Sequence, residues 1–204
     1  MIVIVDYGVG NLMSVNNMLR KAGAEVLITR DPAAVLDAGK LLLPGVGHFD
    51  HGMKMLNASG LREAIDRFAL ELHRPVLGIC LGAQILGKGS EEGQAPGLGW
   101  IDMECRRLPA SPGLRVPHMG WNRIAQKKPS PLLDGLSPDA RYYFVHSYYM
   151  NCADPADVLA TAVHGIEFTC AVQRGNIFGT QFHPEKSLRH GLALMHAFVD
   201  YQPS

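Results

Sequence analysis

The stretch "RPVLGICLGAQIL", residues 74–86, sets a cysteine between two glycines at the end of a short apolar run. Val76, Leu77 and Ile79 read as a buried strand, and Ala83, Gln84, Ile85 and Leu86 as the start of a helix. Gly78-Ile79-Cys80-Leu81-Gly82 falls at the junction. This is the glycine–x–nucleophile–x–glycine spacing of a strand-to-helix elbow, with Cys in place of Ser. The glycines permit a tight turn and a close approach of backbone and substrate. A helix that begins beside the sulfur turns its positive end and free N–H groups toward it, which favours thiolate. A buried cysteine within a strand is the ordinary alternative. The rest of the chain must therefore supply a base and an oxyanion site.

Upstream of this stretch, strand and helix signals alternate. MIVIVDYG reads as a strand ending in a turn, AEVLITR as the next strand and KLLLPG as the one after. Asn11 to Ala22 has apolar residues at 12, 15, 18, 19 and 22, and Leu61 to Leu72 at 61, 64, 65, 68, 69 and 72; both are helical spacings. Gly23 stops the first of these helices. Such alternation predicts an α/β fold with a mostly parallel central sheet and helices on both faces. Active sites of such sheets lie at the carboxyl ends of the strands. Asp6-Tyr7-Gly8, Pro44-Gly45-Val46-Gly47 and Cys80 all fall at such ends and should meet along one edge.

Downstream, residues 98–182 hold short runs (RYYFVHSYYM, VLATAVHG, FTCAVQRG, IFGTQFHPE) split by Gly, Pro and Asp. They predict mixed or antiparallel strands that extend or flank the sheet. A last helix is expected over Gly191 to Tyr201. No repeat, low-complexity tract or long linker appears, so residues 1–204 are expected to form a single domain.

Composition excludes several classes. Nineteen basic and nineteen acidic residues leave zero formal net charge, which offers no electrostatic case for nucleic-acid or membrane binding. No apolar run approaches the roughly 18 residues of a membrane span. The N-terminal MIVIVDYG lacks a basic segment and a cleavage site, so no signal peptide is expected. Cys80, Cys105, Cys152 and Cys170 are widely spaced with no C-x-x-C pair. That argues against a disulfide framework or a zinc knuckle and for a reduced, cytoplasmic setting. No metal or other cofactor is expected.

"GTQFHPEKS", 179–187, supplies the base. In an extended chain residues two apart point the same way, so His183 and Glu185 can share a face, with Pro184 fixing the backbone between them. A Cys-His-Glu relay needs that order, base beside thiol and acid behind base. "LLLPGVGHF", 41–49, supplies an oxyanion candidate: the glycines around Val46 let N–H groups at Val46 and Gly47 turn toward a pocket, joined by the amide of Leu81. A phosphate loop is disfavoured because no lysine follows in the G-x-x-x-x-G-K-[ST] pattern.

PGVG, then GICLG-x-Q, then HPE, in this order, resemble the class I glutamine amidotransferases. DYGVGNL at 6–12, VPHMGWN at 116–122, YFVHSYY at 143–149 and QFHPEKS at 181–187 are similar to one branch of that family, the HisH type, and the similarity runs from residue 1 to the final helix. The resemblance implies a flavodoxin-like fold and a glutaminase. Cys80 would attack the side-chain amide of L-glutamine, His183 would move the proton, and Glu185 would orient His183. The family's glutamine pocket carries over to Gly47, Gln84, Glu92 and the backbone of His146, Ser147 and Tyr148. The branch hands its ammonia to a HisF-like (β/α)8 cyclase that makes imidazole glycerol phosphate and AICAR in histidine biosynthesis. Its partner face carries over to Asn11, Trp121, Tyr143 and Lys186.

The chain departs from the branch at Ala83, where Met is expected, and in the Gly-rich GKGSEEG segment. That departure keeps a second reading, a paralog that serves a HisF-like partner in amidating a sugar for surface polysaccharide. A stand-alone hydrolase of the same fold is opposed by Gln84 and the HSYY segment, and a non-catalytic scaffold by the presence of Cys80, His183 and Glu185 together.

Overall fold

The computed structural model describes residues 1–110 and 113–203. The alternating part runs β1 (Ile2–Val5), α1 (Leu12–Lys21), β2 (Val26–Thr29), α2 (Pro32–Asp37), β3 (Lys40–Gly45), α3 (Phe49–Ala58), α4 (Arg62–Asp66), β4 (Val76–Cys80) and α5 (Leu81–Gln84). The second part holds β5 (Gly89–Ser90), β6 (Met103–Arg107), β7 (His118–Arg123), β8 (Ala125–Gln126), β9 (Arg141–His146), β10 (Tyr148–Cys152), β11 (Val158–His164), β12 (Ile166–Arg174), β13 (Ile177–Thr180) and α6 (Leu188–Asp200).

Among the described residues, eleven strands form one sheet, with the main path β2-β1-β3-β4-β13-β12-β10-β6-β5. From β2 to β13 along that path every pairing is parallel. Beyond β13 the pairings turn antiparallel, except at the short β5–β6 pair. The expected parallel centre with antiparallel additions is thus the observed fold. β7 and β9 stand apart as a two-stranded sheet. No helix among the described residues is long and apolar enough to cross a membrane.

The strands alternate sides as the pleat requires. Val3, Val5, Leu41, Leu43 and Val76 pack into one apolar cluster with Phe49, Met53, Leu56 and Phe68 from the helical side. Ile2, Ile4, Leu42, Leu77 and Ile79 pack into the other with Val15, Leu19, Leu194 and Phe198. Both faces are covered, which is why the central strands read as unbroken apolar runs.

The helices differ from the sequence expectation in instructive ways. The helix expected over 61–72 is α4 followed by a π-helical stretch, Arg67–Glu71. A π turn holds an extra residue and rotates the side chains after it about the axis, and Leu72, expected on the buried stripe, is exposed. α6 starts at Leu188 rather than Gly191. Gly191 sits in the first turn, where a Cβ would lie 1.8 Å from the Pro184 carbonyl oxygen; its role there is close packing. Two helices carry no expectation. α2 is only six residues long, capped by Asp31 with Pro32 at its start. α3 is capped by a histidine ring, His48 Nδ1 accepting from the Asp50 N–H, an unusual cap.

Candidate active site

Cys80 closes β4 with φ +54° and ψ −112°, a left-handed conformation that costs a non-glycine residue about 1–3 kcal/mol. The elbow exists because its neighbours have no side chains. A Cβ at Gly82 would lie 1.8 Å from the Leu43 carbonyl oxygen, and one at Gly78 would lie 2.5 Å from the Gly82 oxygen. Sheet register sets Cys80 opposite Gly45 of β3, so the PGVG turn begins beside the sulfur. Tyr7, at the end of β1, donates its hydroxyl to the Pro44 carbonyl at 2.7 Å. The three strand ends therefore meet along one edge, as expected. The helix after Cys80 does not match expectation: α5 is a single turn of four residues. One turn carries little macrodipole. The charge partner of the thiol is His183.

His183 Nδ1 and Glu185 Oε1 are 2.7 Å apart, with both side chains 2% exposed. They do not meet across an extended chain as predicted. Pro184–Lys186 forms a 3-10 turn, with Pro184 at its start, and the turn brings the carboxylate back to the ring. The backbone of His183 is fixed from a second strand. Its N–H donates to the Tyr143 carbonyl at 2.9 Å, the Ser187 hydroxyl donates to the His183 carbonyl at 2.6 Å, and the same hydroxyl accepts the Tyr143 N–H at 2.9 Å. Burial pushes the imidazolium's pKa down, but the Cys80 sulfur and the Glu185 carboxylate outweigh it and hold the value at about 9. His183 Nε2 is buried without a hydrogen bond of standard geometry. A neighbouring sulfur that raises the ring's pKa without yet aligning with it is the resting state of many such pairs.

Cys80 and His183 open onto a cleft of about 440 Å³. Val46, Gly47, Leu81, Gln84, Glu92, His146, Ser147 and Tyr148 are among the residues that line it. Gly47 holds φ +97°. Glu92 is fixed by the Phe49 N–H at the start of α3, 2.8 Å from Oε2. Asp50 accepts from the Gln94 and Ala95 N–H groups, and those bonds lower its carboxyl pKa. Together they pin the 92–95 segment to the first turn of α3. Gln84 Nε2 donates to the Tyr148 carbonyl at 3.1 Å and to Gln181 Oε1 at 3.0 Å.

The small sheet carries a second histidine group. His118 of β7 lies opposite His146 of β9, with Nδ1 of the first 2.9 Å from Nε2 of the second. His146 Nδ1 is 2.8 Å from the Tyr148 carbonyl. Burial pushes both rings down, to about 4 at His118, helped by His164, and to about 3 at His146. Both are neutral near pH 7. On the outer side of the same strands, Trp121 meets Tyr143 edge-on at 5.9 Å, and Lys186 Nζ sits 5.9 Å over the Tyr143 ring. Trp121 and Lys186 are exposed, and so is Asn11, which caps α1. Of the residues expected at the partner face, Lys186 lines the cleft and Trp121 and Tyr143 cluster beside it through the Tyr143 ring, while Asn11 is not among the cleft's lining residues.

A family profile described as "Glutamine amidotransferase class-I" matches residues 3–200. The chain belongs to the class I glutamine amidotransferase family. This amidotransferase is 48% identical over 200 residues to the imidazole glycerol phosphate synthase subunit HisH 2 of Pseudomonas aeruginosa, covering 98% of this chain and 99% of that one. It is 45% identical to subunit HisH of Bdellovibrio bacteriovorus (98% and 100% covered) and 45% identical to subunit HisH 2 of Methanococcus maripaludis (98% and 98%). Its fold is like that of PurLQS from Thermotoga maritima, with a TM-score of 0.74 at 20% identity, covering 98% of this chain and 97% of that one.

Sequence reading overlooked some residues that stand behind the amidotransferase's cleft and hold its lining in place. Gln181 is wholly buried and reaches the Cys80 sulfur, yet it stands in plain view two positions before His183. Ser187, which ties the His183 and Tyr143 backbones together, is equally visible at the end of the QFHPEKS stretch. His118 has no signal of its own: only the β7–β9 register reveals its partner.

Proposed function

We propose that this chain is a glutaminase that releases ammonia from L-glutamine for a HisF-like (β/α)8 cyclase, within an imidazole glycerol phosphate synthase. The single observation that carries the reading is Cys80 on a strained elbow with a buried His183–Glu185 pair, Cys80 and His183 both opening onto one cleft.

The chemistry follows from that arrangement. His183 takes the Cys80 proton, and the thiolate attacks the side-chain amide carbon of glutamine. The oxygen of the tetrahedral intermediate is met by N–H groups of the Val46–Gly47 turn and of Leu81. Imidazolium gives its proton to the nitrogen as the C–N bond breaks and ammonia leaves. Water, deprotonated by His183, then attacks the γ-glutamyl thioester, and the C–S bond breaks to yield glutamate and free Cys80. Glu185 stabilises the imidazolium. Glu92 pairs with the substrate ammonium, while Gly47, Gln84 and the 146–148 backbone hold its remaining polar groups. Ammonia passes to the partner bound at Asn11, Trp121, Tyr143 and Lys186, where the cyclase uses it to form imidazole glycerol phosphate and AICAR.

The names of two of the three relatives carry the number 2. That observation, with Ala83, favours one second reading: a paralog that supplies ammonia to a HisF-like partner amidating a sugar.

The test is glutamate release as a function of glutamine, by the chain alone and with its barrel partner and acceptor. Cys80→Ala should abolish it. The partner should raise kcat by at least about two orders of magnitude, the worth of one oxyanion donor, with little change in glutamine affinity. Full turnover by the isolated chain would replace the subunit reading with a free-standing hydrolase.

A further inference from the structure

We propose that Gln181 is a positioning residue for the nucleophile: its side-chain amide donates to the Cys80 sulfur, and Gln84 holds it the right way round to do so. Its catalytic consequence rests on the glutaminase reading, whereas the contact rests on geometry alone.

Gln181 is 0% exposed and does not line the cleft. Its Nε2 lies 3.8 Å from Cys80 Sγ, within reach of a large sulfur acceptor. Burying an amide is costly unless its groups are bonded, so an apolar side chain would serve better if packing were all the position required.

The orientation of the Gln181 amide is forced by a group that cannot turn over. The Tyr148 carbonyl can only accept, and it faces Gln84 Nε2 at 3.1 Å and His146 Nδ1 at 2.8 Å. Flipping the Gln84 amide would set oxygen against oxygen. Nε2 therefore stays, and its second proton goes to the Gln181 oxygen 3.0 Å away. With its oxygen engaged, Gln181 presents its NH2 to the sulfur. The same logic runs back from the carbonyl. His146 must carry its proton on Nδ1, so its Nε2 accepts from His118 Nδ1, and His118 Nε2 in turn accepts from the Asn122 amide at 3.2 Å. From Asn122 to Cys80 each donor thus has one permitted direction.

A neutral N–H aimed at sulfur favours thiolate over thiol without adding a charge. It also pins the rotamer of the nucleophile.

The measurement is the rate of Cys80 alkylation by iodoacetamide against pH, on the full chain without glutamine. The other cysteines stay silent, because burial holds their thiols up, at Cys152 to about 12; peptide mapping checks this. In Gln181→Met the midpoint of the profile should move up by about one pH unit, the worth of a hydrogen bond to a charged group. kcat for glutamine should fall by about tenfold with KM held, because Gln181 does not touch the cleft. Gln181→Asn, polar but too short to reach the sulfur, should behave alike and stands in where the methionine variant does not fold. An unmoved midpoint in either variant that melts like the parent overturns the proposal. A shifted midpoint in a chain that never hydrolyses glutamine would leave the contact standing and sink the glutaminase reading instead.

Discussion

Replacing Glu185 by Gln keeps the shape behind His183 and removes its charge. An amide oxygen can still accept from Nδ1–H, now at 2.7 Å from the carboxylate, so the tautomer with Nε2 free toward Cys80 is preserved. The variant loses the carboxylate's hold on the imidazolium. Both side chains are 2% exposed, so little water screens the loss. A hydrogen bond to a charged group is worth about 1.5–3 kcal/mol, which converts to about 10- to 150-fold in kcat. His183→Ala removes the base altogether and should cost about 1,000-fold or more. The pH profile carries the second half of the prediction. The folded imidazolium titrates at about 9, above its ordinary value. The proton that ammonia needs is therefore present below about pH 9 and lost above it, and by linkage the ring's contribution to stability is full below about 6.5 and fades as pH rises through about 9. In Glu185→Gln the alkaline limb should move to lower pH. Glutamate release at saturating glutamine, followed across pH, reads both effects. An equal loss in the two variants, or an alkaline limb that stays in place, would refute the division of labour between base and orienting acid.

Gly82→Ala should yield little folded protein, because its Cβ would sit 1.8 Å from the Leu43 carbonyl oxygen and backbone has nowhere to yield; a cooperative melt like the parent's would contradict the elbow geometry. Acid should destabilise the fold as pH drops below about 6.5, because the unfolded chain then takes up protons that His118 and His146, held down at about 4 and 3, refuse in the folded state. Thermal melts against pH should show that slope, and His146→Asn should flatten it. Trp121→Ala, which removes an exposed aromatic packed on Tyr143, should weaken partner binding by about 2 kcal/mol or more; calorimetric titration of the two subunits would measure it, and an unchanged Kd would move the interface elsewhere.

The parallel centre of the fold is legible because β1, β3 and β4 are buried on both faces and read as mostly apolar runs. The elbow is legible because Gly78 and Gly82 answer a steric demand that no other residue meets. The features that escape depend on pairing at a distance. The His118–His146 contact is a matter of strand register. Glu92 reaches the cleft through a bond to Phe49 that no periodicity reports. The His183–Glu185 pair is expected for a wrong local reason: alternation in an extended chain suggests it, whereas a proline-started turn makes the contact.

His183 is moored on two sides. It follows β13 of the large sheet, and its backbone N–H is tied to Tyr143 of the small one. A two-stranded sheet is marginal by itself, and such elements open locally at lower free energy than the core around them. Cys80 stands in the middle of the large sheet, among its most protected strands. Nucleophile and base thus belong to regions of unequal permanence. On warming, glutaminase activity should therefore fade at a lower temperature than the global melt and return on cooling; loss of activity only in step with the melt would contradict this.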